Sequence, residues 1–238
     1  MIYEIKSKQN DKIKEVVKLQ SPTYSKTKKL FVVEGFHSLE MALQAKVVKE
    51  VYSVKKLSKI PSNVDQYIVS KEIMEKISTT KSPQGVVVVC NYLEPRKVSS
   101  DKILFLDNVR DPGNLGTLLR TALAFGYKDV FICEGCSPYN PKVLAASQGA
   151  IFNLNLLDLL PLKIINEYEV IATEIKGSVK LSEFKPQKKH ILILGNEAHG
   201  VSKEFLDMAD KRVRIEINEI ESLNVAVAGA IAMYEFSK

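Results

Sequence analysis

The stretch Leu104-Phe-Leu-Asp-Asn-Val-Arg-Asp-Pro-Gly-Asn-Leu-Gly-Thr-Leu-Leu-Arg-Thr-Ala-Leu-Ala-Phe-Gly126 runs from an apolar strand pattern through a polar turn straight into a helix pattern. Leu115, Leu118, Leu119, Ala122 and Leu123 recur at helical spacing, while residues 107–114 carry turn formers. That order, strand then polar turn then amphipathic helix, is how a ligand-facing loop is built on a parallel sheet. At about 100° per residue, Arg120 points away from the apolar stripe and stacks one turn beyond Gly116, so it faces whatever the turn faces.

Outward from this stretch the pattern alternates. Strands are expected over 103–107, 130–133, 152–156, 170–173, 191–194 and 213–217, and helices over 115–125, 141–148, 161–167 and 222–236. Such alternation predicts an α/β domain with a parallel sheet covered on both faces and ligands at the carboxyl ends of its strands. Before it, residues 1–28 read as a lysine-rich helix centred on 11–19 and ended by Ser21-Pro22, with Lys26, Lys28 and Lys29 as a basic cluster. Strands over 30–33, 47–54, 66–69 and 85–90, with helices over 36–45 and 71–77, complete a small first unit. Residues 91–101 are polar, contain a proline and lose periodicity. The expected division is therefore a first domain over 1–94, a linker over 95–101 and a second domain over 102–238.

The 238-residue chain is 45% apolar and 26% charged, an ordinary composition for a protein with real cores. No apolar run reaches the roughly 18–20 residues that cross a bilayer, and residues 1–10 show no signal-peptide core, so a cytoplasmic location without a membrane is expected. Three cysteines are too few for a disulfide framework. Cys133 and Cys136 form a C-x-x-C, yet zinc needs about four ligands, and Cys90 with three scattered histidines does not supply them at metal spacing. The pair reads as a strand end and turn, and no metal is expected.

Charge is uneven: residues 1–100 carry +8 and residues 101–238 carry −2. A basic first half points to a polyanion, most economically a nucleic acid, against the alternative of a lysine-rich solvated surface. Only five of the 34 basic residues are arginine: Arg96, Arg110, Arg120, Arg212 and Arg214. Where lysine is used almost everywhere, an arginine in a polar loop or its helix is there for its planar geometry.

Three loops at strand ends carry the candidate chemistry: the opening stretch, Leu192-Ile-Leu-Gly195-Asn-Glu197-Ala-His199-Gly200, and Ile215-Glu-Ile217-Asn-Glu-Ile-Glu-Ser222-Leu223-Asn224-Val. Gly195 and Gly200 allow close backbone approach. Ser222 is the expected N-cap of the last helix, with Asn224 in its first turn. A dinucleotide-binding reading fails, because the turn offers Gly113-x-x-Gly116 and the chain holds no G-x-G and no G-x-x-x-x-G-K-[ST]. His199 in a glycine loop has no visible partner and reads as a capping or surface residue.

Together the three loops resemble the three motifs of the SpoU (TrmH-like) RNA 2′-O-ribose methyltransferases. Asp107 to Ala122 is similar to the first motif, Leu194 to Gly200 to the second, and Ser222-Leu223-Asn224-Val225 to the third. Pro141-Lys-Val to Ser147-Gln-Gly-Ala150 resembles the family's helix before its third strand. Phe31-Val-Val-Glu34-Gly35-Phe-His and Ser82-Pro-Gln-Gly85 are similar to landmarks of its ribosomal-protein-like substrate-binding domain. The third motif departs from the usual Ile-Pro-Met and glycine opening, reading Ile215-Glu-Ile-Asn-Glu219.

The resemblance implies an α/β fold: a parallel-sheet C-terminal domain with a trefoil knot, preceded by a small α/β/α RNA-binding domain. It implies S-adenosylmethionine as cofactor, RNA as substrate with ribosomal RNA favoured over transfer RNA, and a homodimer through the C-terminal domain. It further implies that Asn114 and Arg120 serve the reacting ribose, Glu197 and Asn224 hold the site together, and Ser222 orients the substrate. Thr173, Gly195, Ile215, Ile217 and Leu223 would line the cofactor pocket. The rival reading is an RNA-binding protein on the same fold without catalysis; the presence of Arg120, Asn114, Glu197 and Asn224 argues against it.

Overall fold

The computed structural model describes residues 1–80, 82–176 and 178–238, and the chain divides into two units. The first comprises Met1–Glu94 and Tyr139–Phe152, the second Pro95–Pro138 and Asn153–Lys238.

In the first unit the chain forms β1 (Ile2–Ile5), α1 (Asp11–Leu19), α2 (Pro22–Lys28), β2 (Leu30–Glu34), α3 (Phe36–Gln44), β3 (Val48–Ser53), β4 (Asp65–Val69), α4 (Lys71–Ile77) and β5 (Val86–Asn91). The sheet order is β1-β4-β3-β5-β2, parallel between β1, β4 and β3 and antiparallel where β5 meets β3 and β2. Every residue from Val86 to Cys90 is buried, so this strand is covered on both faces, as a continuous β-branched run requires. On one face Leu30, Val32, Val87 and Val89 pack with Ile13, Val16 and Leu19 of α1 and with Ile73, Met74 and Ile77 of α4. Two elements depart from expectation: β1 forms within the segment expected to be helical, and Pro22 opens α2 instead of only ending α1. Proline at the first helical position loses no hydrogen bond, which accounts for the second.

The chain continues with β6 (Lys102–Asp107), α5 (Pro112–Ala124) and β7 (Asp129–Cys133) of the second unit, then α6 (Pro141–Ser147), which belongs to the first. The second unit resumes with β8 (Asn155–Leu157), α7 (Leu162–Ile165), β9 (Glu169–Thr173), β10 (Val179–Lys180), β11 (His190–Leu194), α8 (Lys203–Met208), β12 (Lys211–Arg214) and α9 (Val225–Glu235). Its seven strands lie in the order β10-β12-β9-β11-β6-β7-β8, and every pairing is parallel. The expected parallel α/β sheet is thus present. The chain steps from β6 to β7 on one side, whereas β9 and β12 lie on the other, so β6 and β11 meet at a switch in strand order. Crevices open there, outside the carboxyl ends of the strands.

Ile103, Phe105, Phe131, Ile191 and Ile193 form the core under α7 and α8. On the opposite face α9 lies directly on α5 and β11: a Cβ at Gly229 would stand 2.5 Å from both Leu118 and Leu194 side chains. Any larger residue would have to push those two buried leucine side chains aside.

The segment inserted between β7 and β8 is α6 with a 3-10 turn over Ala150–Asn153. Tyr139–Phe152, within the expected second domain of 102–238, groups with the first unit. The cause is aromatic packing: the fully buried Phe31 ring lies 4.9 Å from that of Tyr139 and 6.0 Å from that of Phe152. The expected strand over 152–156 gives way to the 3-10 turn over Ala150–Asn153, and β8 covers only Asn155–Leu157. Residues 95–101, the expected linker, are tied by hydrogen bonds within the second unit. Buried Asp129 accepts from the backbone N–H groups of Ser99 (3.0 Å) and Ser100 (2.7 Å), and the Asn155 side chain exchanges hydrogen bonds with the Arg96 backbone (2.7 and 2.9 Å). Among the described residues no helix is long and apolar enough to cross a membrane.

Candidate active site

Two loops at the switch point build the site. After β6, Asn108 takes a left-handed conformation (φ 55°), and Asp111 then caps α5, its carboxylate accepting from the backbone N–H of Asn114 at 2.8 Å with Pro112 at the first helical position. The cap at Asp111 starts the helix three residues before the expected 115. It also leaves the Asn114 side chain free of capping duty.

After β11, Gly195 lies against the return of its own loop. A Cβ there would stand 2.0 Å from the backbone carbon of Gly200. Asn196 and Gly200 exchange two backbone hydrogen bonds of 2.9 Å, and Asn196 Oδ1 accepts from the N–H groups of Ala198 (2.9 Å) and His199 (3.2 Å). Asn196 Nδ2 donates to the Asn108 carbonyl at 2.8 Å, and buried Asp107 accepts from Ser202 N–H at 2.7 Å. The two loops are therefore stitched together independently of any ligand.

Glu197 is the centre of that stitching. Its Oε1 accepts from Asp111 N–H (2.9 Å) and from Asn114 Nδ2 (3.1 Å), and its Oε2 accepts from Arg110 N–H (3.2 Å). Partial burial pushes this carboxyl up, but the hydrogen bonds from Asn114 and from backbone N–H groups outweigh it and hold it below the usual carboxylate range. Asn114 Oδ1 in turn accepts from Asn224 Nδ2 at 2.9 Å, and Asn224 Oδ1 caps α9, accepting from Ala226 N–H (2.9 Å) and Val227 N–H (3.3 Å). Ser222 was expected to be that cap. The helix instead begins at Val225, because the side chain of Asn224 reaches both free N–H groups, and β12 ends at Arg214, leaving 215–224 irregular.

A cavity of about 420 Å³ lies beside these loops, and Thr173, Gly195, Ile215, Ile217, Ser222 and Leu223 all line it, together with Glu197. Its remaining walls include Leu181, Val201 and Ala228, with Glu174 at the margin, ion-paired to Arg212 at 3.1 Å. The volume falls in the range of about 300–1,000 Å³ typical of small-molecule sites. Asn114 and Asn224 join Glu197 by hydrogen bonds without lining this cavity. Arg120 stands on the exposed side of α5 with no hydrogen bond or ion pair among the described residues. His199 lines the cavity on an exposed loop.

Sequence reading missed Asp111, Asn108 and Asn196, which position the others. Asp111-Pro112 was the available signal: a capping side chain directly before a proline at the first helical position. Cys133 and Cys136 are free thiols, both pushed up, chiefly by burial. Thiols held above their ordinary range are poor nucleophiles at neutral pH.

Compared with known proteins, residues 101–234 match the model of the SpoU rRNA Methylase family, and residues 10–88 match that of an MRM3-like substrate binding domain. The chain is similar to RlmP of Bacillus subtilis, a 23S rRNA (guanosine-2′-O)-methyltransferase, at 32% identity over 97% of this chain and 98% of that protein. It is also 32% identical to an uncharacterized tRNA/rRNA methyltransferase of Synechocystis, over 98% and 93% of the two chains. Among solved structures, the AdoMet-bound rRNA methyltransferase from Sinorhizobium meliloti superposes with a TM-score of 0.87 at 25% identity, covering 99% of this chain and 97% of the other.

Proposed function

Since this chain belongs to the SpoU rRNA methylase family, we propose that it methylates a ribose 2′-hydroxyl of ribosomal RNA from S-adenosylmethionine. It is an RNA methyltransferase by that membership. Ribosomal over transfer RNA is favoured by RlmP, whose name specifies 23S rRNA and a guanosine, and which this chain matches along nearly its whole length.

The residues present fit the cofactor. The cavity is of small-molecule size and walled by backbone and apolar groups, and the loop over 195–200 is held shut on itself by Gly195 and Asn196. Thr173, Gly195, Ile215, Ile217 and Leu223 would hold S-adenosylmethionine there. When bound, it supplies an electrophilic methyl group: one S–C bond breaks, one O–C bond forms at the ribose 2′-oxygen, and the hydroxyl proton is released.

The chain's own residues then orient the acceptor and stabilise the negative charge that develops on it. A guanidinium with a pKa above about 12 is a poor base but an excellent planar donor, so Arg120 holds the phosphate and the developing alkoxide. Asn114 orients the ribose from the helix start, Glu197 and Asn224 keep Asn114 in place, and Ser222 orients the substrate from the cavity's edge. The observation that carries this reading is the hydrogen-bonded series Asn224 to Asn114 to Glu197, which ties together side chains from three separate segments of the chain.

The protein is further proposed to act as a homodimer in the cytoplasm. α9 is apolar on nearly every side, and Val227, Ile231 and Tyr234, spaced to share one face, remain 48%, 38% and 52% exposed.

The test is transfer of labelled methyl from S-adenosylmethionine to 23S rRNA, followed by mapping of the modified nucleotide. A 2′-O-methyl ribose is expected, and a transcript carrying 2′-deoxyribose at the mapped position should bind without reacting. Methylation of that deoxy transcript, or no detectable binding of S-adenosylmethionine, overturns the reading.

A further inference from the structure

We propose that the first unit carries a nucleoside-binding cleft, at the sheet edge where β2 ends, that takes an unstacked nucleoside of the RNA while a neighbouring lysine loop holds its phosphates. This rests on the reading of RNA as substrate and extends it to a place and a mode of recognition.

Both β2 and β3 run antiparallel to β5, so their carboxyl ends and the start of β5 share one edge. Backbone hydrogen bonds of 3.1 Å from Gly35 N–H to Val86 and from Val54 N–H to Gly85 tie the three connections together there. The connection after β2 and the segment before β5 border a cleft of about 260 Å³, lined also by Val32 and Val33 and on one side by Leu144 and Ala145 of α6. That is slightly smaller than sites for drug-sized ligands, which begin at about 300 Å³, and suits one nucleoside.

The cleft is set in advance. The Glu34 carboxylate accepts from the backbone N–H of Thr79, from Thr79 Oγ1 at 2.6 Å and from Thr80 Oγ1 at 2.9 Å, which pins the following loop. Gln84 Oε1 accepts from Phe36 N–H at 3.4 Å, which leaves its amide nitrogen with no partner among the described residues. Gln148 Nε2 donates to the Ala145 carbonyl at 2.7 Å, which leaves its Oε1 open in the same way. One cleft thus presents an oriented donor and an oriented acceptor, with His37 and Ser38 beside them. Paired donors and acceptors are what the edge of an unstacked base offers, and single-stranded RNA is read through such edges.

Charge divides the labour. Lys6, Lys8, Lys12 and Lys14 are each ion-paired with a carboxylate of the same unit. Lys55, Lys56 and Lys59 are exposed, have no ion pair among the described residues, and follow directly on Val54, whose N–H donates to the Gly85 carbonyl at the same end of the sheet as the cleft. Glu34 within the cleft repels a phosphate and accepts a neutral base; the lysine loop has the opposite preference. A second free cluster, Lys26, Lys28 and Lys29, lies at the far end of β2, where Lys28 and Lys29 cover the rings of Tyr24 and Tyr92.

The experiment measures binding of the full-length protein to a fluorescein-labelled single-stranded oligoribonucleotide of mixed sequence. Ala145→Trp, on an exposed position of α6, fills the cleft; Lys55, Lys56 and Lys59 are changed together to Gln. The first should weaken binding about tenfold at any salt. The second should weaken it mainly at low salt and make the log–log salt slope shallower by about 2, near 0.7 per lost phosphate contact. Photocrosslinking of a 4-thiouridine-substituted oligonucleotide to the unmutated protein is expected to label residues 35–38, 82–85 or 145–148. Unchanged binding by Ala145→Trp, or crosslinks confined to other residues, overturns the proposal. Binding of S-adenosylmethionine is measured on every variant: its retention separates failure of the cleft from failure of the methyltransferase reading, which alone predicts that affinity.

Discussion

The side-chain amide of Asn224 donates to the side-chain oxygen of Asn114 at 2.9 Å, joining positions 110 apart in sequence. The direction of this bond is fixed from the far end. Glu197 can only accept, so Asn114 must present its NH₂ to it and its oxygen to Asn224. Asn224 must then turn its own oxygen to the start of α9, where it caps the helix. Helix capping and site assembly are thus done by the two ends of one amide.

Separating those ends tests the idea. Asn224→Ser keeps a capping oxygen and cannot reach Asn114, so stability should stay near that of the parent while single-turnover methyl transfer falls at least tenfold. Asn224→Ala loses both, adding a stability cost of about 1 kcal/mol. Full turnover by Asn224→Ser would show that the bond between the two asparagines has no catalytic consequence.

Arg120→Ala should abolish methyl transfer without changing the melting temperature or the affinity for S-adenosylmethionine. The side chain is exposed, makes no hydrogen bond or ion pair among the described residues and lines no part of the cofactor cavity. Retained turnover would remove it from the mechanism, and lost cofactor affinity would move it to the other side of the site.

Buried His190 should make the protein acid-sensitive. Its Nδ1 donates to the Gln187 carbonyl at 2.8 Å, so Nε2 is the unprotonated nitrogen and accepts from Tyr127 OH at 2.7 Å. Burial lowers its pKa from the ordinary 6.5. Below 6.5 the unfolded chain takes up a proton that the folded one resists, so stability is fully present above 6.5 and declines as pH falls toward the lowered native value. Urea midpoints at pH 8 and pH 5.5 should differ in that direction. His190→Phe should lower the unfolding free energy at pH 8 by about 1–3 kcal/mol, for the Tyr127 hydroxyl left unpaired, and flatten the pH dependence.

Ile231→Asp places a charge in the middle of the exposed α9 stripe and should yield a folded monomer by light scattering. An unchanged mass would mean that these side chains are not an interface between copies.

The alternation that predicted the parallel sheet was legible because its central strands are buried on both faces, so 103–106 and 191–194 read as unbroken apolar runs. The site loops were legible as polar interruptions directly after those runs. What the sequence hid was set by tertiary partners. Asn224 displaces Ser222 as the cap because both α9 N–H groups and Asn114 lie within its reach, which no local pattern encodes. Strand β1 is short and exposed over three of its four residues, and it exists through its pairing with β4. The apolar residues of α6 reveal that it is amphipathic; they do not reveal which sheet they cover.

That last element constrains the order in which the protein can be made. Phe31 is buried among rings supplied by Tyr139 and Phe152, so the first unit lacks part of its core until synthesis has passed residue 152. By then β6, α5 and β7 have already been translated. A ribosome-bound chain of 94 residues would hold an aromatic socket open to solvent, and the N-terminal unit can be finished only after the first two strands of the other unit have been made.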